Sequence, residues 1–192
     1  MKLFNKLSMG IFIMLAFVSV NLTRAQELAL INNASSLKVL GTSNIHDWEV
    51  NAESQSGKIK FSDIENGKIE DLTITIKVEG LKSGKSGMDK NTYKALKSKN
   101  SKDILFQLTK VESLDAKGNG VFDIKSKGDL TIAGTKKSIA LNFKLSIMDS
   151  TATLIGEKQI KMTDFKVDPP TALLGTITTG EDVTIKFKTK FK

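Results

Sequence analysis

The chain has 192 residues, with 29 lysines and arginines against 21 aspartates and glutamates, a formal charge of +8, and 40% apolar residues. That length bounds one domain, and a mean hydropathy of −0.13 describes a packed core under a wet surface, which excludes a polytopic membrane protein and a disordered tail. With no cysteine and one histidine, a disulfide scaffold, a thiolate zinc centre, a cysteine nucleophile and a catalytic zinc held by several imidazoles are excluded as well.

Lys2 and Lys6 precede an apolar run from Met9 to Val20, and the small residue Ala25 follows a short polar stretch. The run is too short to cross about 30 Å of hydrocarbon. Its pattern predicts a signal peptide over residues 1–25, cleaved before Gln26, and so a periplasmic or secreted mature protein with no stable membrane span. Arg24, the only arginine, leaves with that segment, so every cation of residues 26–192 is a lysine. No planar guanidinium remains for bidentate contact with phosphate or guanine, and the lysines are dispersed without interleaved aromatics, which argues against a nucleic-acid partner.

From there the dominant period is two. Short apolar alternations at Leu37–Leu40, Trp48–Ala52 and Ile59–Phe61 lead into Leu72, Ile74, Ile76 and Val78, whose intervening residues are polar. Each such series is a strand with one apolar and one wet face. Met88, Thr92, Ala95, Leu96 and Lys99 break the period with three-to-four spacing and predict one short helix over residues 89–98. Alternation resumes at Ile104, Phe106 and Leu108, then across residues 119–133 and 137–148, in a run from Ala152 to Ile160, and finally from Val183 to Phe191. Turn chemistry separates these runs at Asn66-Gly67, Lys117 to Gly120, Ala133 to Lys136 and Asp168-Pro169-Pro170.

Eight or nine strands and a single helix predict an all-β antiparallel domain, and the lack of strand–helix alternation excludes a parallel doubly wound sheet. The apolar faces must be hidden by closing the sheet or by stacking two sheets. Strands of about a dozen residues are longer than usual and favour the tilted strands of a barrel. Six phenylalanines (Phe61, Phe106, Phe122, Phe143, Phe187 and Phe191) share the apolar parity of their strands, while Phe165 falls in a loop. An eight-stranded barrel is either filled by such side chains or holds one small ligand.

His46-Asp47-Trp48 is the one catalytic-looking constellation. Adjacent residues of an extended chain point to opposite faces, so His46 and Asp47 make a poor orienting pair, and a turn with Trp48 pointing inward is the expectation. Asp164 and Asp168 flank Phe165 but match no calcium-loop pattern. The other carboxylates fall at strand ends or on wet faces, where they keep ordinary pKa values and make poor general acids. No catalytic residue, metal site or cofactor is expected.

Five segments in order carry a resemblance: G-T-S-N-I-H-D-W (Gly41–Trp48), M-D-K-N-T-Y-K-A-L-K (Met88–Lys97), D-I-L-F-Q-L (Asp103–Leu108), G-D-L-T-I-A-G-T-K-K (Gly128–Lys137) and K-M-T-D-F-K-V-D-P-P (Lys161–Pro170). Together they resemble the YceI-like family of exported lipid-binding proteins. The resemblance implies a lipocalin-like antiparallel barrel of about eight strands over residues 26–192. It also implies a non-catalytic carrier of a polyisoprenoid or other long-chain apolar lipid. For such a ligand the candidate cavity residues are the inward positions Trp48, Ile74, Ile76, Phe106, Leu108 and Phe122, continuing through Ile124, Leu130, Ile132, Leu141 and Phe143. Met88, Tyr93 and Leu96 of the helix are expected to form the mouth or cap. A ligand-free barrel serving as an interaction or stress-protective module is the alternative, and a homodimer paired through the last strand is open to the sequence.

Overall fold

The structure, a computed structural model, describes residues 26–192; the expected signal peptide lies outside the described residues. The first half of the fold comprises β1 (Gln26–Ala29), β2 (Ser36–Ser43), β3 (Trp48–Ala52), β4 (Gln55–Asp63), β5 (Lys68–Lys77), β6 (Leu81–Lys82) and the helix α1 (Ser86–Ala95). The second half comprises β7 (Asp103–Gly118), β8 (Val121–Ile132), β9 (Thr135–Met148), β10 (Thr151–Lys161), β11 (Thr171–Ala172) and β12 (Ile177–Phe191). Among the described residues no helix is long and apolar enough to cross a membrane.

All strand pairs are antiparallel, in the order β1-β4-β5-β7-β8-β9-β10-β12-β2-β3-β6, with β11 beside β12. Although β1 begins that order, Ala29 and Lys192 exchange two backbone hydrogen bonds of 2.9 Å, and Leu30 bridges to Phe191. The sheet therefore curls round and meets itself at this end. At the other end β6 pairs with β3, and the Glu53 amide donates to the Gly80 carbonyl at 2.8 Å. The result is the expected lipocalin-like antiparallel barrel, built from more strands than the eight or nine predicted. The additional ones, β1, β6 and β11, have only two to four residues, too few to register a period of two. The last strand has no free edge for a dimer, because β12 is paired with β10 on one side and with β2 on the other.

The wall is incomplete in one place. The β9–β10 ladder runs from Thr151–Met148 to Gly156–Phe143 and stops. Beyond it the gap is filled by a 3-10 turn, Thr163–Phe165, which packs against both strands and buries Phe165 to 2% exposure. The loop phenylalanine is thus part of the wall.

The helix begins three residues earlier than predicted and ends earlier too. Lys97 adopts φ 55°, and the Ser98 amide closes back on the Tyr93 carbonyl at 3.0 Å, a left-handed C-terminal closure that stops helical propagation. At its start the Asp89 carboxylate accepts from the Ser83 amide at 2.8 Å and from the Ser83 hydroxyl at 2.6 Å, which holds that carboxyl below its ordinary pKa.

Inside, the half of the barrel near β1 is solid. Phe61, Leu72, Leu145, Leu154 and Phe191 are at most 1% exposed. Outside, lysine–carboxylate pairs join neighbouring strands, among them Lys60–Glu70 at 2.9 Å, Lys127–Glu112 and Lys144–Asp123 at 2.7 Å. Such exposed pairs contribute about 0–1 kcal/mol each and set register more than stability.

Candidate functional site: an apolar cavity under the helix

Moving along the barrel away from β1, the interior changes from packed to hollow. A cavity of about 610 Å³ lies beneath α1. Its walls come from successive inward positions: Val39 on β2, Trp48 and Val50 on β3, Ile104 on β7, Ile132 on β8, Ile160 on β10, and Val183 with Ile185 on β12. Phe165 and Val167 close the side where β9 and β10 part, and Met88, Thr92, Ala95 and Leu96 form the roof. Polar lining groups, including Ser43, His46, Lys85, Lys90 and Asn91, belong to the helix and loops at the mouth.

Two features position the roof. Residues 88, 92 and 95 recur on one helical stripe, yet no residue of α1 is buried, because that stripe faces empty space. The helix is held instead by a strut. The Tyr93 hydroxyl lies 2.9 Å from the Leu81 carbonyl and 3.0 Å from the Glu79 carbonyl, and accepts from Lys82 Nζ at 2.7 Å.

The mouth is equally well tied. Ser43 Oγ accepts from the His46 amide at 3.1 Å and donates to its carbonyl at 2.6 Å, the turn expected around His46. Asn44 links this turn to the loop before β12, donating to the Thr176 carbonyl at 2.9 Å and accepting from the Thr178 amide at 3.0 Å. His46 Nδ1 faces its neighbour's backbone, 2.7 Å from the Asp47 carbonyl oxygen. Trp48 points inward as expected, with Nε1 donating to the Thr42 carbonyl at 2.9 Å. Its indole lies on Gly41, where an added Cβ would stand 2.1 Å from the ring. Only glycine permits that approach.

Of the fourteen cavity positions predicted from sequence, Trp48, Met88, Leu96 and Ile132 line the cavity. Phe106 and Leu130 lie one inward step below Ile104 and Ile132 and sit in the packed core. The Phe106 ring covers Gly128, 2.4 Å from where a Cβ would be, and with Phe187 below Ile185 it stands in the layer where the lining ends. Leu108, Phe122, Ile124, Leu141 and Phe143 belong to that solid interior, Ile76 to a smaller cluster with Val50, Ala52 and Leu81, and Ile74 packs against both. These nine side chains and Tyr93 do not reach the cavity. Inward parity was read correctly, but the rings fill the barrel's other half, and Tyr93 spends its face on the strut.

The lining that sequence reasoning missed falls into two groups. Val39, Ile104, Val183 and Ile185 already carried inward parity, so only their height along the barrel was unknown. Phe165 and Val167 belong to a turn and the loop after it, and Ile177 opens β12 ahead of the register shift between Thr179 and Val183, so none of the three has a period to read.

The YceI-like domain model matches residues 29–191. Comparison with the curated proteins finds no match. Among solved structures, BcnA of Burkholderia cenocepacia superposes with a TM-score of 0.66 at 18% identity, over 84% of this chain and 98% of that one. A polyisoprenoid binding domain from Saccharophagus degradans, implicated in plant cell wall breakdown, gives 0.65 at 12% identity over 86% and 97%. The Campylobacter jejuni YCEI protein gives 0.57 at 22% identity over 73% and 82%. At these identities the likeness to solved structures establishes the fold, and the family rests on the domain match across nearly all described residues: this chain belongs to the YceI-like family.

Proposed function

We propose that this protein is a non-catalytic binding protein that holds the chain of a polyisoprenoid-type lipid in the cavity beneath α1. The observation that carries the reading is the cavity itself, about 610 Å³ with predominantly apolar walls. A hydrocarbon tail has nothing to hydrogen-bond, so continuous apolar wall suffices to bind it. At about 30 Å³ per carbon-sized group, the space takes about twenty carbons, four isoprene units. Burying them contributes about 16 kcal/mol at about 0.8 kcal/mol per methylene. Association costs about 4–15 kcal/mol against that gain, so net binding needs most of the chain inside. The polyisoprenoid class is supported by the name of the Saccharophagus degradans domain, whose fold this chain shares.

The absence of chemistry is part of the proposal. The His46 ring is engaged with the Asp47 backbone carbonyl, and outer-wall carboxylates are paired with lysines. Residues 1–25 are proposed as the export signal on the strength of their basic start, the apolar run from Met9 to Val20 and the small Ala25; the N-terminal sequence of the exported protein tests it. The binding reading is tested by extracting lipid from protein purified out of its native host and identifying it by mass spectrometry. A prenyl lipid in near-stoichiometric amount is the expected result. Repeated recovery of empty protein would overturn it in favour of a ligand-free interaction module.

A further inference from the structure

The mouth of the cavity carries two features that the binding reading does not use. First, Ile45 is 57% exposed and Leu174 is fully exposed. They stand on the two loops that Asn44 clamps together, and Ile45 also lines the cavity entrance. Leu174 has φ 55° and ψ 32°, a left-handed conformation that a bulky residue adopts only under strain. A strained backbone normally holds a side chain in a packed position, but here it presents a leucine to the outside.

Second, the charges at this end differ from those of the barrel wall. Residues 83–102 contain six lysines (Lys85, Lys90, Lys94, Lys97, Lys99 and Lys102) and one acidic residue, Asp89, whose carboxylate is occupied by Ser83. Among the described residues none of these six lysines, nor Lys166 beside the wall turn, makes an ion pair, whereas eleven wall lysines do. Acidic residues on the neighbouring segments are Asp47, Asp164 and Asp168, Glu53, which shares a surface pocket with Ser86 and Asp89, and Glu79, whose carboxylate accepts from the Ser98 hydroxyl at 3.3 Å; together they are fewer than these lysines.

We propose that this end of the barrel docks on an anionic phospholipid bilayer, with Ile45 and Leu174 entering the interface and the lysines around α1 facing the headgroups. Exposed apolar side chains ringed by cations match that surface in both chemistry and charge, and docking would set the entrance of the cavity against the bilayer. The proposal concerns the outer surface and is independent of which lipid the cavity holds, so vesicle docking and retained-lipid analysis fail separately.

The test is co-sedimentation of the purified chain with phosphatidylcholine vesicles, with and without about a third phosphatidylglycerol, at about 0.05 M and about 0.5 M salt. Binding is expected to the anionic vesicles alone, and at least tenfold weaker at the higher salt. The double variant Lys90→Glu with Lys94→Glu should weaken it at least tenfold. Leu174→Gly should weaken it severalfold while leaving the thermal midpoint equal or higher, because glycine adopts the left-handed backbone freely. The wall pair Lys125→Glu with Lys188→Glu makes the same change in net charge and should alter binding less than threefold. No binding to the anionic vesicles, equal loss in both lysine pairs, or unchanged binding by Leu174→Gly would each overturn the docking surface.

Discussion

Replacing Ile185 by Trp distinguishes a hollow barrel end from a packed one. Ile185 faces the cavity, one inward step above Phe187. If the space is empty, the larger ring is accommodated without displacing other side chains, and the folded state keeps or slightly gains stability. In a solid interior the same change forces off-rotamer neighbours and costs about 1–3 kcal/mol. Phe143, 5% exposed and paired with Ile124 and Gly156, supplies the contrast, so Phe143→Trp should pay that overpacking penalty. The indole at position 185 also takes the room of about three chain carbons, which at about 0.8 kcal/mol per methylene removes about 2.4 kcal/mol of burial. That is roughly fifty-fold in Kd. Urea unfolding gives the stability and titration with a fluorescent C20 prenyl chain gives the affinity. Ile185→Trp destabilised as much as Phe143→Trp, with prenyl affinity unchanged, would refute the hollow end.

Three further outcomes follow from local geometry. Gly41→Ala sets a methyl against the Trp48 indole and should cost about 1–3 kcal/mol, with a shift in tryptophan emission as the ring leaves the Thr42 carbonyl; an unchanged spectrum and midpoint would contradict the stacked placement. Thr189 is fully buried and its hydroxyl has no partner among the described residues, so Thr189→Val should raise stability by about 1 kcal/mol, and a loss on urea unfolding would point to a partner for that hydroxyl. The Ser83 hydroxyl and amide hold the Asp89 carboxyl below its ordinary pKa, so their stabilisation of the helix start is present above the unfolded value of about 3.9 and is lost as pH falls through the lower folded value. A carboxyl titration followed by NMR should show that depression, and Ser83→Ala should raise the Asp89 pKa; identical titrations would contradict the contact.

Sequence periodicity revealed the fold class because most of each strand has one apolar and one wet face, as along Val121–Ile132. It failed where the ladder is irregular. The sequence marks β7 only to Leu108, yet the strand continues to Gly118. Shifts of register between Leu108 and Lys110, Val111 and Ser113, and Ala116 and Gly118 break the parity by which a strand is recognised. The site was legible in part for a related reason. Parity tells which face a residue occupies and nothing of its height in the barrel, so Ile132 and Phe122 looked alike although one lines the cavity and the other is packed at the far end. Height is set by ladder register between distant strands, such as Ile185 opposite Val39. Phe165 could not be assigned because it fills a gap created where β10 leaves β9, a feature of the closed sheet and not of its own segment.

The central claim, an apolar chain held under α1 with the other half of the barrel solid, is tested most directly by photolabelling. A C20 isoprenoid carrying a diazirine at its chain end should, after irradiation and peptide mapping, mark Leu96, Ile104, Ile132 or Ile185 and leave Phe122 and Leu145 unmarked. Labelling at Phe122 or Leu145, or only on the outer wall of the barrel, would contradict it.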